Sequence, residues 1–126
     1  MNVVVDASAL LAVILDEPGA DTAFSLMRDS EMSAINLSEV YAKLISQGVT
    51  LPDAQDQAAR FELTICEFGE IHAARTAALR PLTRHLGLSF GDRACLAQAE
   101  LSNLPVLTAD KEWAKLDLGI DIRLIR

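Results

Sequence analysis

A chain of 126 residues can build one hydrophobic core that removes roughly two thirds of its unfolded surface from water, so a single domain over residues 1–126 is expected. Eighteen acidic residues against eleven basic ones give a net charge of -7 and a pI of about 4.7, which excludes a protein that grips nucleic acid with its whole surface. An acidic cleft, a basic partner, or both would suit this balance.

In chain order, apolar runs of strand length alternate with segments of helical period, the βαβα pattern of a mostly parallel sheet flanked by helices. Val3-Val4-Val5 is β-branched and apolar throughout, as a central strand buried on both faces should be. Nothing like a secretory signal precedes it, so the cytoplasm is the expected compartment. Asp6-Ala7-Ser8 opens a helix to about Leu15, and that apolar stretch, stopped by Asp16-Glu17-Pro18-Gly19, is too short to span a bilayer. No membrane contact is expected. Residues 20–29 read as a helix and Met32 to Ile35 as a second strand, after which Asn36 caps a helix ending near Gly48. Pro52-Asp53 starts a helix to about Arg60, Leu63 to Cys66 is strand-like, and Gly69 to Leu79 is helical up to Pro81. A short helical turn at Leu82 to Gly87, a helix from Asp92 to Leu101, and strands at Pro105 to Thr108 and Ile120 to Ile125 complete the pattern. Cys66 and Cys95, both within apolar stretches, read as buried thiols.

Four acids stand where apolar runs give way to helices. Asp6 and Asp110 each follow a strand, while Glu39 and Asp92 lie in the opening turns of helices. Each has a plain structural reading. Asp6 or Ser8 can be an N-cap, Asn36-x-x-Glu39 approaches a capping box, and Asp92 and Asp110 suit a helix's first turn. Their joint placement says more, because the C-terminal ends of parallel strands lie along one edge of the sheet, where such folds put their chemistry. Carboxylates gathered there raise one another's pKa unless a cation neutralises them. Oxygen donors without a His or Cys cluster point to Mg²⁺, with Mn²⁺ as the alternative. His72 and His85 are not spaced as a metal pair, although His85 lies near Arg80 and Arg84, where a polyanion could bind.

The chain resembles the PIN-domain ribonucleases, and within them the VapC-type toxins of bacterial toxin–antitoxin pairs. The residues that carry the resemblance are VVVDASALLAVILDEPGA at the start, the SAINLSEV segment, and GLSFGDRACLAQAELSNLPVLTAD near the end. The resemblance implies a PIN-like α/β domain with Asp6, Glu39, Asp92 and Asp110 as its catalytic and metal-binding quartet at the C-terminal edge of the strands. It further implies that Ser8 and Thr108 support that quartet, and that RNA is hydrolysed to a 5′-phosphate and a 3′-hydroxyl. A VapB-type antitoxin that inhibits the enzyme and a homodimer are also implied, with Tyr41 and Leu44 as candidate dimer contacts. Arg93 is the first candidate for guiding the RNA backbone, ahead of Arg80, Arg84 and Lys111.

Rival enzymes of the same fold class fail on residues. A response-regulator receiver wants a pair of acids after its first strand and a late-strand Lys, whereas Val5 precedes Asp6 and Thr108-Ala109-Asp110 holds the late position. A haloacid-dehalogenase phosphatase needs an Asp where Ser8 stands. The alternative from another class is a non-catalytic module whose acidic groove receives a basic peptide.

Overall fold

The β-branched triplet at the start of the chain lies at the centre of the molecule. In the computed structural model, which describes residues 2–126, β1 (Val4–Val5) is the middle strand of a five-stranded, all-parallel sheet. The other strands are β2 (Glu31–Ser33), β3 (Thr64–Cys66), β4 (Val106–Thr108) and β5 (Ile122–Leu124), in the order β3-β2-β1-β4-β5. Val4 is paired with Glu31 on one side and with Val106 on the other. Parallel pairing demands long crossovers, and here the crossovers are helical. They are α1 (Ala7–Ile14), α2 (Ala20–Met27), α3 (Ala34–Ser46), α4 (Leu51–Ala59), α5 (Glu70–Ala78), α6 (Arg80–Thr83) and α7 (Phe90–Ser102).

Strand side chains alternate between faces, which divides the core in two. Val3 and Val5 pack with Leu10 of α1, Met27 of α2, Val40 and Leu44 of α3, and Ala54 of α4. Val4 and Val106 face the other way, against Leu79, Trp113, and Cys95 and Leu96 of α7. The chain leaves β1 towards β2 and returns from the far edge to place β4 on β1's other side. The direction of winding therefore reverses between β1 and β4, and the crevice outside their C-terminal ends is where such sheets take ligands.

Several boundaries differ from the sequence reading for local reasons. Strand β2 ends at Ser33, whose hydroxyl caps α3 by accepting the Ile35 N–H at 3.2 Å. Asn36 is consequently inside the helix, fully buried, and Glu39 lies in the second turn rather than the first. Helix α7 begins two residues early, at Phe90, because Ser89 rather than Asp92 supplies the cap. Cys66 is only half-buried, since β3 is an edge strand with Thr64 and Ile65 exposed, whereas Cys95 is fully buried beneath the sheet. Gly19 takes a left-handed φ of 91°, and a Cβ there would run into the backbone carbonyl of Ile125, so the turn between α1 and α2 closes against the end of the chain. Among the described residues, no helix is long and apolar enough to cross a membrane.

Candidate active site

Asp6 occupies the N-cap position of α1, but its side chain makes no capping hydrogen bond. Its Oδ2 instead accepts from the Ser8 hydroxyl at 2.6 Å and the Thr108 hydroxyl at 2.9 Å. Those two hydroxyls, 3.2 Å apart, also take backbone donors: Ser8 Oγ accepts the Ala109 N–H, tying α1 to the end of β4, and Thr108 Oγ1 accepts the Asp110 N–H. The crevice at the switch point is thus closed at its base by a carboxylate and two hydroxyls.

Glu39 comes from the opposite side, on α3. Asn36, one turn earlier, donates through Nδ2 to Glu39 Oε1 at 2.7 Å and to the Gly91 carbonyl at 3.0 Å, clamping α3 to the start of α7. Gly91 leaves room for the Glu39 carboxylate where it stands, since a Cβ at that position would meet the end of that side chain. The expectation of a capping box between Asn36 and Glu39 therefore fails, and the pair serves to hold the acid in place. Asp92 does conform to its plain reading, because Oδ2 accepts the Ser89 N–H while the Ser89 hydroxyl accepts the Asp92 N–H. Asp110 also acts as a cap, its Oδ1 accepting the Glu112 N–H at the start of a 3₁₀ turn over Lys111–Lys115.

Three of the four acids feel one another. Burial lifts the Asp6 carboxyl from 3.8 to about 6, with the charges of Asp92 and Glu39 adding to the rise and the Ser8 and Thr108 hydroxyls opposing it. Glu39 is raised by burial and by the Asp92 charge, against the Asn36 hydrogen bond. Asp110 is exposed and its charge is not among those acting on either. It joins the group through the backbone links to Ser8 and Thr108.

One pattern runs through all four carboxylates. One oxygen of each accepts a local hydrogen bond that fixes the side chain, and among the described residues none donates to the other oxygen. Asp6 Oδ1, Glu39 Oε2, Asp92 Oδ1 and Asp110 Oδ2 remain open. Among the described residues, no three His, Cys, Asp or Glu side chains stand close enough together to hold a metal ion by themselves. The donor set is open and made only of oxygen, which fits a hard divalent ion that binds through few carboxylates and keeps its waters.

A family model described as the PIN domain matches residues 3–118. The chain belongs to the PIN domain family. Its fold is shared with solved structures of low sequence identity. A toxin–antitoxin complex from Klebsiella pneumoniae is 22% identical with a TM-score of 0.70, over 89% of this chain and 90% of that one. VapBC2 from Rickettsia felis, solved with a promoter DNA fragment, is 16% identical with a TM-score of 0.74, over 97% of each chain. DNA-bound VapBC from Salmonella typhimurium is 17% identical with a TM-score of 0.72, over 100% and 99%. No curated protein sequence matches the chain significantly.

In this PIN domain Arg93 is not the exposed cation expected of a residue that guides the RNA backbone. It is 8% exposed, and its Nη1 donates to the Thr76 carbonyl of α5 at 2.9 Å, so its charge is taken up in joining α5 to α7. Leu44 is likewise a core residue at 1% exposure, which removes it as a dimer contact, whereas Tyr41 is half-buried at the edge of the same core. Two residues of the site went unassigned in the sequence. Asn36 was legible only as a cap, and its three-residue spacing to Glu39 was the available signal. Gly91 carried no signal at all, because its role depends on how closely α3 approaches α7.

Proposed function

We propose that this PIN domain is a metal-dependent endoribonuclease, the toxin half of a toxin–antitoxin pair, acting in the cytoplasm on RNA phosphodiester bonds. The observation that carries the reading is the set of four carboxylates with one oxygen anchored and one open, at the C-terminal edge of a parallel sheet. Asp6 and Asp92 would hold Mg²⁺ or Mn²⁺ directly, and Glu39 and Asp110 directly or through water. When bound, the ion supplies positive charge for the phosphodiester and lowers the pKa of the attacking water. The residues around it orient the ligands. Ser8 and Thr108 fix Oδ2 of Asp6 and so aim Oδ1, while Asn36 does the same for Glu39 through Oε1. Asp110 is carried to the rim by the Thr108 and Ser8 links. Cleavage would leave a 5′-phosphate and a 3′-hydroxyl.

The partner we propose is a VapB-type antitoxin, supported by the toxin–antitoxin complexes that share the fold. A homodimer belongs to the same reading, and a monomer in sedimentation at micromolar concentration would count against it. The test of function is cleavage of total RNA by antitoxin-free protein with Mg²⁺ or Mn²⁺, beside EDTA and an Asp6→Ala, Asp92→Ala double variant. Metal-dependent fragments that vanish in the variant are expected. No cleavage by a folded protein that binds the metal would favour the interaction-module alternative. The purified complex should be inactive and the freed chain active, and equal rates in the two states would refute inhibition.

A further inference from the structure

Phe90 is the first residue of α7, two positions before Asp92, and 49% of it faces solvent. It belongs to neither core cluster, and Ser89 already caps the helix, so neither core burial nor capping explains an aromatic ring here. The ring is nevertheless held. Phe68 meets it edge-on with centroids 5.7 Å apart and planes at 73°, and the Arg93 guanidinium lies over it at 6.0 Å. Behind Phe68, His72 leans on that ring at 5.9 Å, with its own Nδ1 accepting the Gly69 N–H. An exposed but immobilised aromatic surface loses little freedom when a flat ligand settles on it.

What lies on either side of Phe90 indicates the ligand. Directly after it in the chain come Gly91, packed on Glu39, and Asp92. Shortly before it, Arg80, Arg84, Gly87 and Leu88 line a groove of about 170 Å³. Both arginines are exposed, and among the described residues neither pairs with a carboxylate. A cationic groove, an aromatic ring and an acidic site thus follow one another from residue 80 to residue 92. That order matches a strand in which phosphates and flat bases alternate.

From this arrangement we infer that Phe90 is a platform on which a base beside the scissile phosphate stacks, with Arg80 and Arg84 receiving a neighbouring phosphate. The inference rests on the nuclease reading above and narrows its substrate to single-stranded RNA. Bases in a duplex are already stacked on one another, whereas splayed bases of loops and single strands are free to stack on an aromatic side chain. Every base has a π-face, so the platform sets the position of the strand without choosing its sequence.

The test uses the full, antitoxin-free chain and a single-stranded oligoribonucleotide taken from a site cut in total RNA. Its duplex and versions carrying one abasic position run beside it, with Phe90→Ala and Phe90→Trp as variants. Phe90→Ala should raise KM about 5- to 150-fold, the worth of one base–aromatic stack, while kcat changes far less. Phe90→Trp should restore KM. On the oligonucleotide lacking the stacked base, wild type and Phe90→Ala should become alike, which a general loss of structure would not produce. Arg80→Ala with Arg84→Ala should flatten the salt dependence of KM. An unchanged KM in Phe90→Ala overturns the inference, as does a penalty that persists at every abasic position. So does a defect confined to sedimentation or antitoxin binding, which would make Phe90 a protein contact. If wild type cuts no RNA, the nuclease reading itself fails. Anisotropy of labelled poly(U) then decides separately, and equal binding by wild type and Phe90→Ala rejects the platform.

Discussion

Asp6→Asn should stabilise the metal-free protein, even though it removes a proposed metal ligand. Asp6 is 5% exposed, and burial, with help from the Asp92 and Glu39 charges, lifts its carboxyl from 3.8 to about 6. Between those values the folded state keeps a proton that the unfolded chain has already released. Stability is therefore greatest below the unfolded value and declines as pH rises through the folded one. A shift of about two units corresponds to roughly 3 kcal/mol, lost in full by about pH 8. The asparagine carries no charge to bury, and its carbonyl oxygen can still accept from Ser8 and Thr108. Urea unfolding in EDTA at a series of pH values should show wild type falling by roughly 3 kcal/mol relative to Asp6→Asn between about pH 4 and 8. Glu39, whose carboxyl is also raised, titrates in both proteins, so the difference between the two curves reports Asp6 together with its coupling to Glu39 and Asp92. Curves that stay parallel, or an asparagine variant less stable than wild type at about pH 8, would refute the argument that a costly charge is held at the base of the crevice.

The same cost should vanish when a cation occupies the site. Mg²⁺ or Mn²⁺ at about a hundred times its Kd should stabilise wild type by roughly 2.7 kcal/mol, seen as a rise in Tm reversed by EDTA, with no rise in the Asp6→Ala, Asp92→Ala variant. Gly91→Ala should leave the melting temperature near wild type, because the atoms it meets are the mobile end of Glu39 and alanine is the better helix former. By pushing that carboxylate aside it should slow RNA cleavage on the order of a hundredfold, and an unimpaired rate would show that Glu39 is not needed where it stands. Thr108→Val keeps the shape of β4 but strips Asp6 of one hydroxyl and the Asp110 N–H of its acceptor. Chemical denaturation should report a loss of about 1–3 kcal/mol, and a neutral result would mean water replaces the hydroxyl.

Much of this molecule was legible in one dimension because its signals are local. Val3-Val4-Val5 could only be a buried central strand, and the regular change from apolar run to helical period implied parallel crossovers. Asp6, Asp92 and Asp110 were found because each sits directly at a junction between elements. Interactions between distant segments carried no such mark. Glu39 was placed in a first turn because Asn36 resembles a cap, yet Ser33 caps the helix and Asn36 is buried as the clamp on Glu39 and Gly91. Arg93 read as a free cation beside an acid, but the helix turns it about 100° from Asp92 and under α5. Cys66 lost its expected burial because β3 is an edge strand, and strand order is a property of the whole sheet. The sequence by itself determined which carboxylates are present and that Asp6, Asp92 and Asp110 end up at a strand or helix boundary. Only the tertiary structure decided which of them share a field and that Gly91 lets the Glu39 carboxylate stand between α3 and α7. Those outcomes depend on distances between residues 30 to 100 positions apart in the chain.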